Sequence, residues 1–174
     1  GIQDQGIIAC GKHYPGHGDT DTDSHTSLPI INKSMVDLMD NELLPFKNAC
    51  DIGIKSIMVG HILFPNIDKD NPATFSKKIT HDIVRQQWKY NGLIITDALE
   101  MGALSNHTWH GESAIRAIEG GADIILLPID AIQAINSIYD AVQSGRITEE
   151  RINKSVERIL NQKNNIGLLN NSIS

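Results

Sequence analysis

The residues best suited to chemistry lie in one loop near the start of the chain and at one carboxylate much further along it. The loop runs from Lys12 to His25 and is dense in histidine, aspartate and glycine. Asp23 and His25 stand two positions apart in this loop, so their side chains can meet in an extended or turn conformation. A carboxylate beside an imidazole orients the ring and favours its protonated form, as a general acid near neutral pH requires. The pair therefore indicates acid–base chemistry.

The later carboxylate, Asp97, closes an apolar run and is a candidate nucleophile. The four residues 97–100, Asp-Ala-Leu-Glu, also match a capping box, in which an acidic residue begins a helix and a glutamate follows three positions later. The residues alone leave both interpretations open. The titratable loop upstream favours the nucleophile.

Four short apolar runs recur along the chain. They are rich in β-branched residues and continuous rather than alternating, as in strands buried on both faces of a parallel sheet. The predicted strands lie within 6–13, 54–62, 92–97 and 122–128.

Helical patterns fill the gaps between these runs and follow the last of them. Ser34, Ser76 and Thr148 are predicted N-caps, since each precedes a stretch with helical apolar spacing. The predicted helices lie within 34–49, 76–88, 112–119, 131–142 and from 148 onward. The order gives four βα units, which fits either half of a (β/α)₈ barrel or a small doubly wound sheet.

The polar residues of interest follow strands rather than precede them. Lys12 and His13 end the first run, His61 ends the second and Asp97 ends the third. Because sites in parallel α/β domains are built at the carboxyl ends of the strands, these four side chains are predicted to share one face.

The composition sets limits on partners and compartment. The chain has 174 residues, enough for one domain, with a net charge of -6 and no dense run of Lys or Arg, which argues against nucleic acid as a partner. No apolar stretch reaches the roughly 18 residues of a membrane span. A cytoplasmic location is favoured, with periplasmic or secreted locations left open. Cys10 and Cys50 lie in apolar contexts and are predicted to be buried thiols.

Taken together, several segments resemble one family, the bacterial β-N-acetylhexosaminidases (β-N-acetylglucosaminidases) of glycoside hydrolase family 3. The resemblance covers essentially the whole chain. The segments that carry it are Lys-His-Tyr-Pro-Gly-x-Gly at 12–18, Asp-Ser-His at 23–25, Gly-His-Ile at 60–62, Pro-Ala-Thr-Phe-Ser at 72–76, Gly-Leu-Ile-Ile-Thr-Asp-Ala-Leu-Glu-Met at 92–101, and Ala-x4-Ala-Asp-Ile at 117–124.

The resemblance implies the C-terminal half of a TIM (β/α)₈ barrel, with residues 1–174 as a partial catalytic domain holding barrel strands 5–8. It implies a retaining enzyme that releases terminal N-acetylglucosamine from cell-wall-derived saccharides. Asp97 would be the nucleophile, and His25 the acid and base with Asp23 as its partner. No cofactor and no metal are implied.

The substrate-binding set that goes with the resemblance is Lys12, His13 and His61. Lys12 and His13 would hydrogen-bond sugar hydroxyls, and His61 is counted with them because it ends the second strand. The expected partner is a small saccharide.

Other interpretations stay beside this one. The chain opens where a helix runs into a strand, so we expect a truncated chain. It could be an inactive half-barrel that needs the missing half or a second copy, with self-association through the open barrel edge. A β-glucosidase-like relative or one that accepts phosphate is the alternative activity.

Three other motifs fit some of the same residues. A calcium loop at 19–30 fails because Ser and Ile stand where Gly and Glu are needed. The glycine and lysine spacing at 6–12 suits a phosphate-binding loop, but the segment reads as a strand and is followed by His rather than Ser or Thr. Zinc hydrolysis by the histidines of the first loop shows no recognised ligand spacing.

Overall fold

The protein, seen in a computed structural model that describes residues 1–18, 28–101 and 110–169, is built on a parallel sheet. Within those ranges the sheet has three strands, β1 (Cys10–Tyr14), β2 (Ser56–Val59) and β3 (Leu93–Thr96), in the order β1-β2-β3. Both pairings are parallel. The predicted parallel α/β architecture is confirmed, although each strand is shorter than its apolar run.

Helices pack around this sheet and connect its strands. They are α1 (Met35–Asp40), α2 (Leu43–Asp51), α3 (Lys77–Gln87, with hydrogen bonds of the π type), α4 (His110–Gly120), α5 (Ala131–Gln143) and α6 (Glu149–Asn165). The predicted N-caps Ser34, Ser76 and Thr148 are confirmed, since each side chain accepts a backbone N–H three residues later. None of the helices in the described ranges is long and apolar enough to span a membrane.

The single helix predicted over 34–49 is wrong, because the chain divides it into α1 and α2. The Asn41 side chain donates to the Asp37 carbonyl at 2.9 Å, and the Asn41 N–H reaches the same oxygen at 3.2 Å. Asparagine competes well for backbone groups in this way, so it ends the first helix and lets the chain turn before α2.

The predicted fourth strand is only partly formed. Residues 122–128 run beside β3, and one parallel bridge joins Ile95 to Ile124. Beyond the bridge, the Leu126 N–H donates to the Thr96 hydroxyl at 2.9 Å. The Leu126 N–H thus bonds to a side chain instead of to a backbone carbonyl of β3, and the ladder between the strands ends there. Four complete βα units are therefore not confirmed.

The end of β1 is fixed in the core by Tyr14, which is fully buried. Its hydroxyl donates to the Ile79 carbonyl of α3 at 2.7 Å. Its ring meets Phe46 of α2 and Trp88 edge to face, with centroids 5.4 and 5.9 Å away. Such aromatic contacts add to the energy of burial, so the residues just before Tyr14 are held on a rigid strand end.

The amino-terminal side of the sheet is tied together by Asp123, whose side chain is wholly buried. Its two oxygens accept hydrogen bonds from three elements. The donors are the Arg85 guanidinium of α3, the Ile94 N–H of β3 at 3.0 Å, and the Ser155 hydroxyl and Arg158 guanidinium of α6 at 2.7 and 3.1 Å. A third guanidinium, that of Arg151, stands 3.9 Å away. One carboxylate therefore joins α3, β3 and α6.

One edge of the sheet is open in the described residues. β1 pairs there with β2 alone, and Cys10 is exposed rather than buried as predicted, because it lies on this edge. Cys50 is half-buried, and both thiols are free. On α5, Ile132, Ile135 and Tyr139 share one face and are 74, 65 and 62% exposed. These surfaces are where the self-association predicted from the sequence would occur, and it stays a prediction.

We expect Asp123→Asn to lower the free energy of unfolding by about 3–5 kcal/mol, because it removes the charge that compensates three guanidinium groups. Urea unfolding followed by circular dichroism measures this. Glu150→Ala is the control, since Glu150 makes an exposed pair with Lys154 on α6 and its loss should leave the urea midpoint unchanged. Equal midpoints for all three proteins would contradict the structural role of Asp123.

Candidate active site

The first part of the site is the end of β1 and the turn that follows it. Lys12 and His13 lie just before Tyr14, and the Gly16 N–H donates to the His13 carbonyl at 2.9 Å. Gly16 has a φ of +133°, and a Cβ there would lie 2.8 Å from the Cβ of Glu42. Only glycine suits this conformation and this close approach. The Pro-Gly pair therefore turns the chain against α2 immediately after His13.

Asp97 lies directly after β3, at the same edge of the sheet. Its N–H donates to the Val59 carbonyl at 2.9 Å, which ties it to the end of β2. Its Oδ1 accepts the Ala98 N–H at 2.8 Å. Its Oδ2 faces His13, whose Nε2 is 3.7 Å away, and the two side chains are 18 and 33% exposed. The carboxylate thus keeps one oxygen directed toward another predicted site residue.

Gly60 makes room for this approach. A Cβ at position 60 would come within 3.3 Å of the His13 Cβ, closer than most side-chain contacts allow. Glycine at the end of β2 therefore lets the His13 side chain lie across the strand ends toward Asp97.

The alternative role for Asp97, a helix N-cap, is not what the structure describes. Residues 98–101 form a turn, closed by a bond from the Met101 N–H to the Ala98 carbonyl at 3.1 Å. No helix begins within those four residues, so the single amide bond to Oδ1 leaves Oδ2 available.

A groove of about 540 Å³ runs beside the end of β1, on the side of α2. Lys12, His13 and His17 line it, together with Glu42 and Phe46. The His17 ring stands edge-on to that of His13, with centroids 6.4 Å apart. Sequence reasoning left His17 without a role, and its position directly after the Pro-Gly pair is the signal that could have placed it here. His13 links the groove to Asp97, which is not one of the lining residues.

His61 is placed differently from the sequence-based expectation. Its side chain is fully buried, and both ring nitrogens are engaged by the protein, Nδ1 with Thr74 Oγ1 at 2.7 Å and Nε2 with the Ala98 carbonyl at 2.9 Å. A substrate hydroxyl cannot reach a ring nitrogen without displacing one of these partners. His61 is therefore corrected from a substrate-binding residue to a buried residue behind Asp97.

The electrostatics of His61 agree with this position. Burial lowers its pKa, and the nearby His13 lowers it further, while the bond to the Ala98 carbonyl and the charge of Asp97 oppose the shift. Because burial is the largest of these effects, the imidazole is neutral near pH 7.

The predicted acid–base pair, His25 and Asp23, lies outside the described residues. Within the described residues, the structure brings Asp97, His13 and Lys12 together at one edge of the sheet. Among the described residues, no cluster of three or more His, Cys, Asp or Glu side chains is arranged to hold a metal ion.

The carboxylate after β3 and the imidazole on β1 lie at the carboxyl ends of the strands, which is where active sites are built in parallel α/β domains. Residues 1–162 match the Glycosyl hydrolase family 3 N terminal domain. The chain belongs to this family.

Relatives of known name agree with this membership. The chain is 33% identical over 162 residues to a beta-hexosaminidase of Nitrosomonas eutropha, covering 90% of this chain and 46% of the relative. It superimposes with a TM-score of 0.93 and 39% identity on a glycoside hydrolase family 3 beta-N-acetylglucosaminidase from Paenibacillus, covering 99% of this chain and 34% of that one. The beta-glucoside phosphorylase BglX bound to 2FGlc gives a TM-score of 0.91 at 26% identity, with 98 and 32% covered. The chain thus spans from 32 to 46% of the length of these relatives.

We expect His61 to make folding stability fall as the pH is lowered. Its pKa is lower in the folded state than in the unfolded chain, so below about pH 6.5 the unfolded state binds the extra proton and is favoured. The loss of stability begins at about pH 6.5 and grows as the pH falls to the pKa of the folded state. Well above about pH 6.5 the ring is neutral in both states and stability does not depend on it. Urea unfolding of the parent and of His61→Gln across this range measures it. The difference between their unfolding free energies should change with pH, whereas a constant difference would contradict the prediction.

Proposed function

We propose that the protein containing this chain is a retaining β-N-acetylhexosaminidase that removes terminal β-linked N-acetylglucosamine from cell-wall-derived saccharides. The observation that carries the proposal is the position of Asp97, with Oδ2 facing His13 at the carboxyl ends of β1 and β3. Membership of glycosyl hydrolase family 3 and the names of the relatives support the reaction class.

In the proposed reaction Asp97 Oδ2 attacks the anomeric carbon. The glycosidic C–O bond breaks, and the leaving oxygen takes the bonding electron pair and a proton from His25. The sugar is then an ester of Asp97. In the second step His25 takes a proton from water, the water oxygen bonds to the anomeric carbon and the Asp97 carboxylate leaves. Two displacements at one carbon retain its configuration.

The other site residues orient the acid–base histidine, bind the sugar or hold the nucleophile. Asp23 holds the His25 imidazole and stabilises its charged form. Lys12 and His13 hydrogen-bond sugar hydroxyls, which the exposed side of His13 and the groove beside Lys12 allow. Asp97 Oδ1 stays on the Ala98 N–H, and this leaves Oδ2 as the attacking oxygen.

A phosphate acceptor is the second candidate. The similarity to the beta-glucoside phosphorylase BglX favours it. A histidine that has given its proton to the leaving group is neutral, so it repels an anionic acceptor less than a carboxylate would. Release of nitrophenol from nitrophenyl N-acetyl-β-glucosaminide and from nitrophenyl β-glucoside, each with and without inorganic phosphate, separates the two candidates. Hydrolysis of the first substrate without phosphate is the expected result.

We expect Asp97→Asn to lower kcat by at least about a thousandfold, because an amide cannot form the covalent intermediate. The measurement is hydrolysis of nitrophenyl N-acetyl-β-glucosaminide by an active preparation that contains this chain. The control is Glu100→Gln, which neutralises an exposed carboxylate in the same turn and should leave kcat near the parent value. Equal rates for Asp97→Asn and the parent would count decisively against the proposal.

We expect His25→Ala to slow poor leaving groups by about 10²–10⁴-fold and to affect nitrophenol much less, because only a basic leaving oxygen needs protonation. A series of aryl N-acetyl-β-glucosaminides of rising phenol pKa measures the dependence. His81→Ala is the control, because His81 lies on α3 beside Asp82 and does not line the groove, and its slope should equal that of the parent. A uniform loss across the series in His25→Ala would indicate a structural role instead.

A further inference from the structure

Two segments that carry the family resemblance have no part in the proposed reaction, those at 60–62 and 72–76. They meet behind Asp97. His61 comes from the first and Thr74 from the second, and both side chains are buried, at 0 and 1% exposed. A buried imidazole is costly unless both nitrogens are satisfied, so the pairing needs a reason beyond filling space.

The hydrogen bonds assign the tautomer of His61. A carbonyl oxygen only accepts, so the bond of 2.9 Å to Ala98 requires a proton on Nε2. The neutral ring then accepts at Nδ1, where the Thr74 hydroxyl donates at 2.7 Å. The same hydroxyl is 3.1 Å from the Gly60 carbonyl. A hydroxyl has one proton to donate, and the shorter contact with Nδ1 is the stronger of the two hydrogen bonds.

The backbone of Ala98 is thereby held on both sides of its Cα, at the N–H of the peptide that joins it to Asp97 and at the carbonyl of the peptide that joins it to Leu99. Its N–H donates to Asp97 Oδ1 at 2.8 Å, and its carbonyl accepts from His61 and from the Met101 N–H at 3.1 Å. On either side, Asp97 is tied to Val59 and Leu99 to Leu126 through their backbone N–H groups. The orientation of the Ala98 N–H determines which carboxylate oxygen is occupied and which faces His13.

We propose that His61 is a positioning residue: its bond to the Ala98 carbonyl fixes the backbone of Ala98, whose N–H holds Asp97 Oδ1, and so directs Oδ2 toward the reacting carbon. The proposal rests on the proposed function in taking Asp97 as the nucleophile. His61 touches neither substrate nor reacting atoms. A small displacement of an attacking group is enough to cost about 100-fold in rate.

The test compares two amide variants of one position. In His61→Gln the amide nitrogen occupies the place of Nε2 and can still donate to the Ala98 carbonyl. In His61→Asn the shorter side chain reaches only toward Thr74. We expect kcat for nitrophenyl N-acetyl-β-glucosaminide to stay close to the parent value in His61→Gln and to fall about 100-fold in His61→Asn, with KM little changed in both. Equal kcat values for the two variants would overturn the proposal.

A second pair is available if His61→Asn does not fold. Thr74→Ser keeps the hydroxyl that donates to Nδ1, and Thr74→Val removes it at nearly the same volume. The Ala98 carbonyl still requires a proton on Nε2, so the ring nitrogen chemical shifts of His61 should report that proton in the parent and in both variants. kcat should fall only in Thr74→Val, because the ring loses one of the two bonds that orient it. An unprotonated Nε2 in the parent, or equal kcat values in Thr74→Ser and Thr74→Val, would contradict the assignment.

A structural readout separates this inference from the proposed function. In crystals of His61→Gln the separation of 3.7 Å between Asp97 Oδ2 and His13 Nε2 should be retained, and in His61→Asn it should be lost. If the carboxylate keeps its place in His61→Asn, the positioning role is wrong whatever the activity. If Asp97→Asn keeps full activity, the proposed function fails while the geometric result stands or falls independently.

Discussion

The parallel register of three neighbouring strands is the constraint on which the candidate site depends. Val59 pairs with Tyr14 on one side and with Thr96 on the other, so the residues that follow β1, β2 and β3 emerge at one edge. A bond from the Asp97 N–H to the Val59 carbonyl extends this register one residue past β3. The geometry of the site is therefore set by backbone hydrogen bonds between strands rather than by the conformation of a loop. Residues held on strands are positioned more precisely than residues on loops.

A glycine and a buried tyrosine position the side chains at this edge. Gly60 allows the His13 side chain to cross the end of β2, and Tyr14 anchors the strand that carries His13 between α2 and α3. Behind the edge, His61 bonds the Ala98 carbonyl and Thr74 bonds the other ring nitrogen of His61. The opposite end of the sheet is bound by Asp123 and its guanidinium partners. The Asp123 cluster and the candidate site thus lie at opposite ends of the strands.

Much of the fold was predictable because its signals are local. The apolar runs locate three strands, and Ser34, Ser76 and Thr148 cap helices where hydroxyl residues precede helical spacing. The errors arise where a side chain competes with the backbone. Asn41 divides a predicted helix, and the Thr96 hydroxyl replaces a ladder bond next to the fourth run. Exposure of Cys10 was also missed, because burial depends on which strand lies at an edge, and an apolar run looks the same at an edge and in the centre.

By itself the sequence determined the residue types available for chemistry, their position after strands, and family membership through segments such as those at 12–18 and 92–101. It could not separate Lys12 and His13, which stay partly exposed, from His61, which is buried with both nitrogens bonded. All three lie at the end of an apolar run, and the sequence pattern is the same for a residue that faces the open edge and for one that faces inward. Only the tertiary structure decided this, because the direction of each side chain depends on what the neighbouring strands and turns place around it.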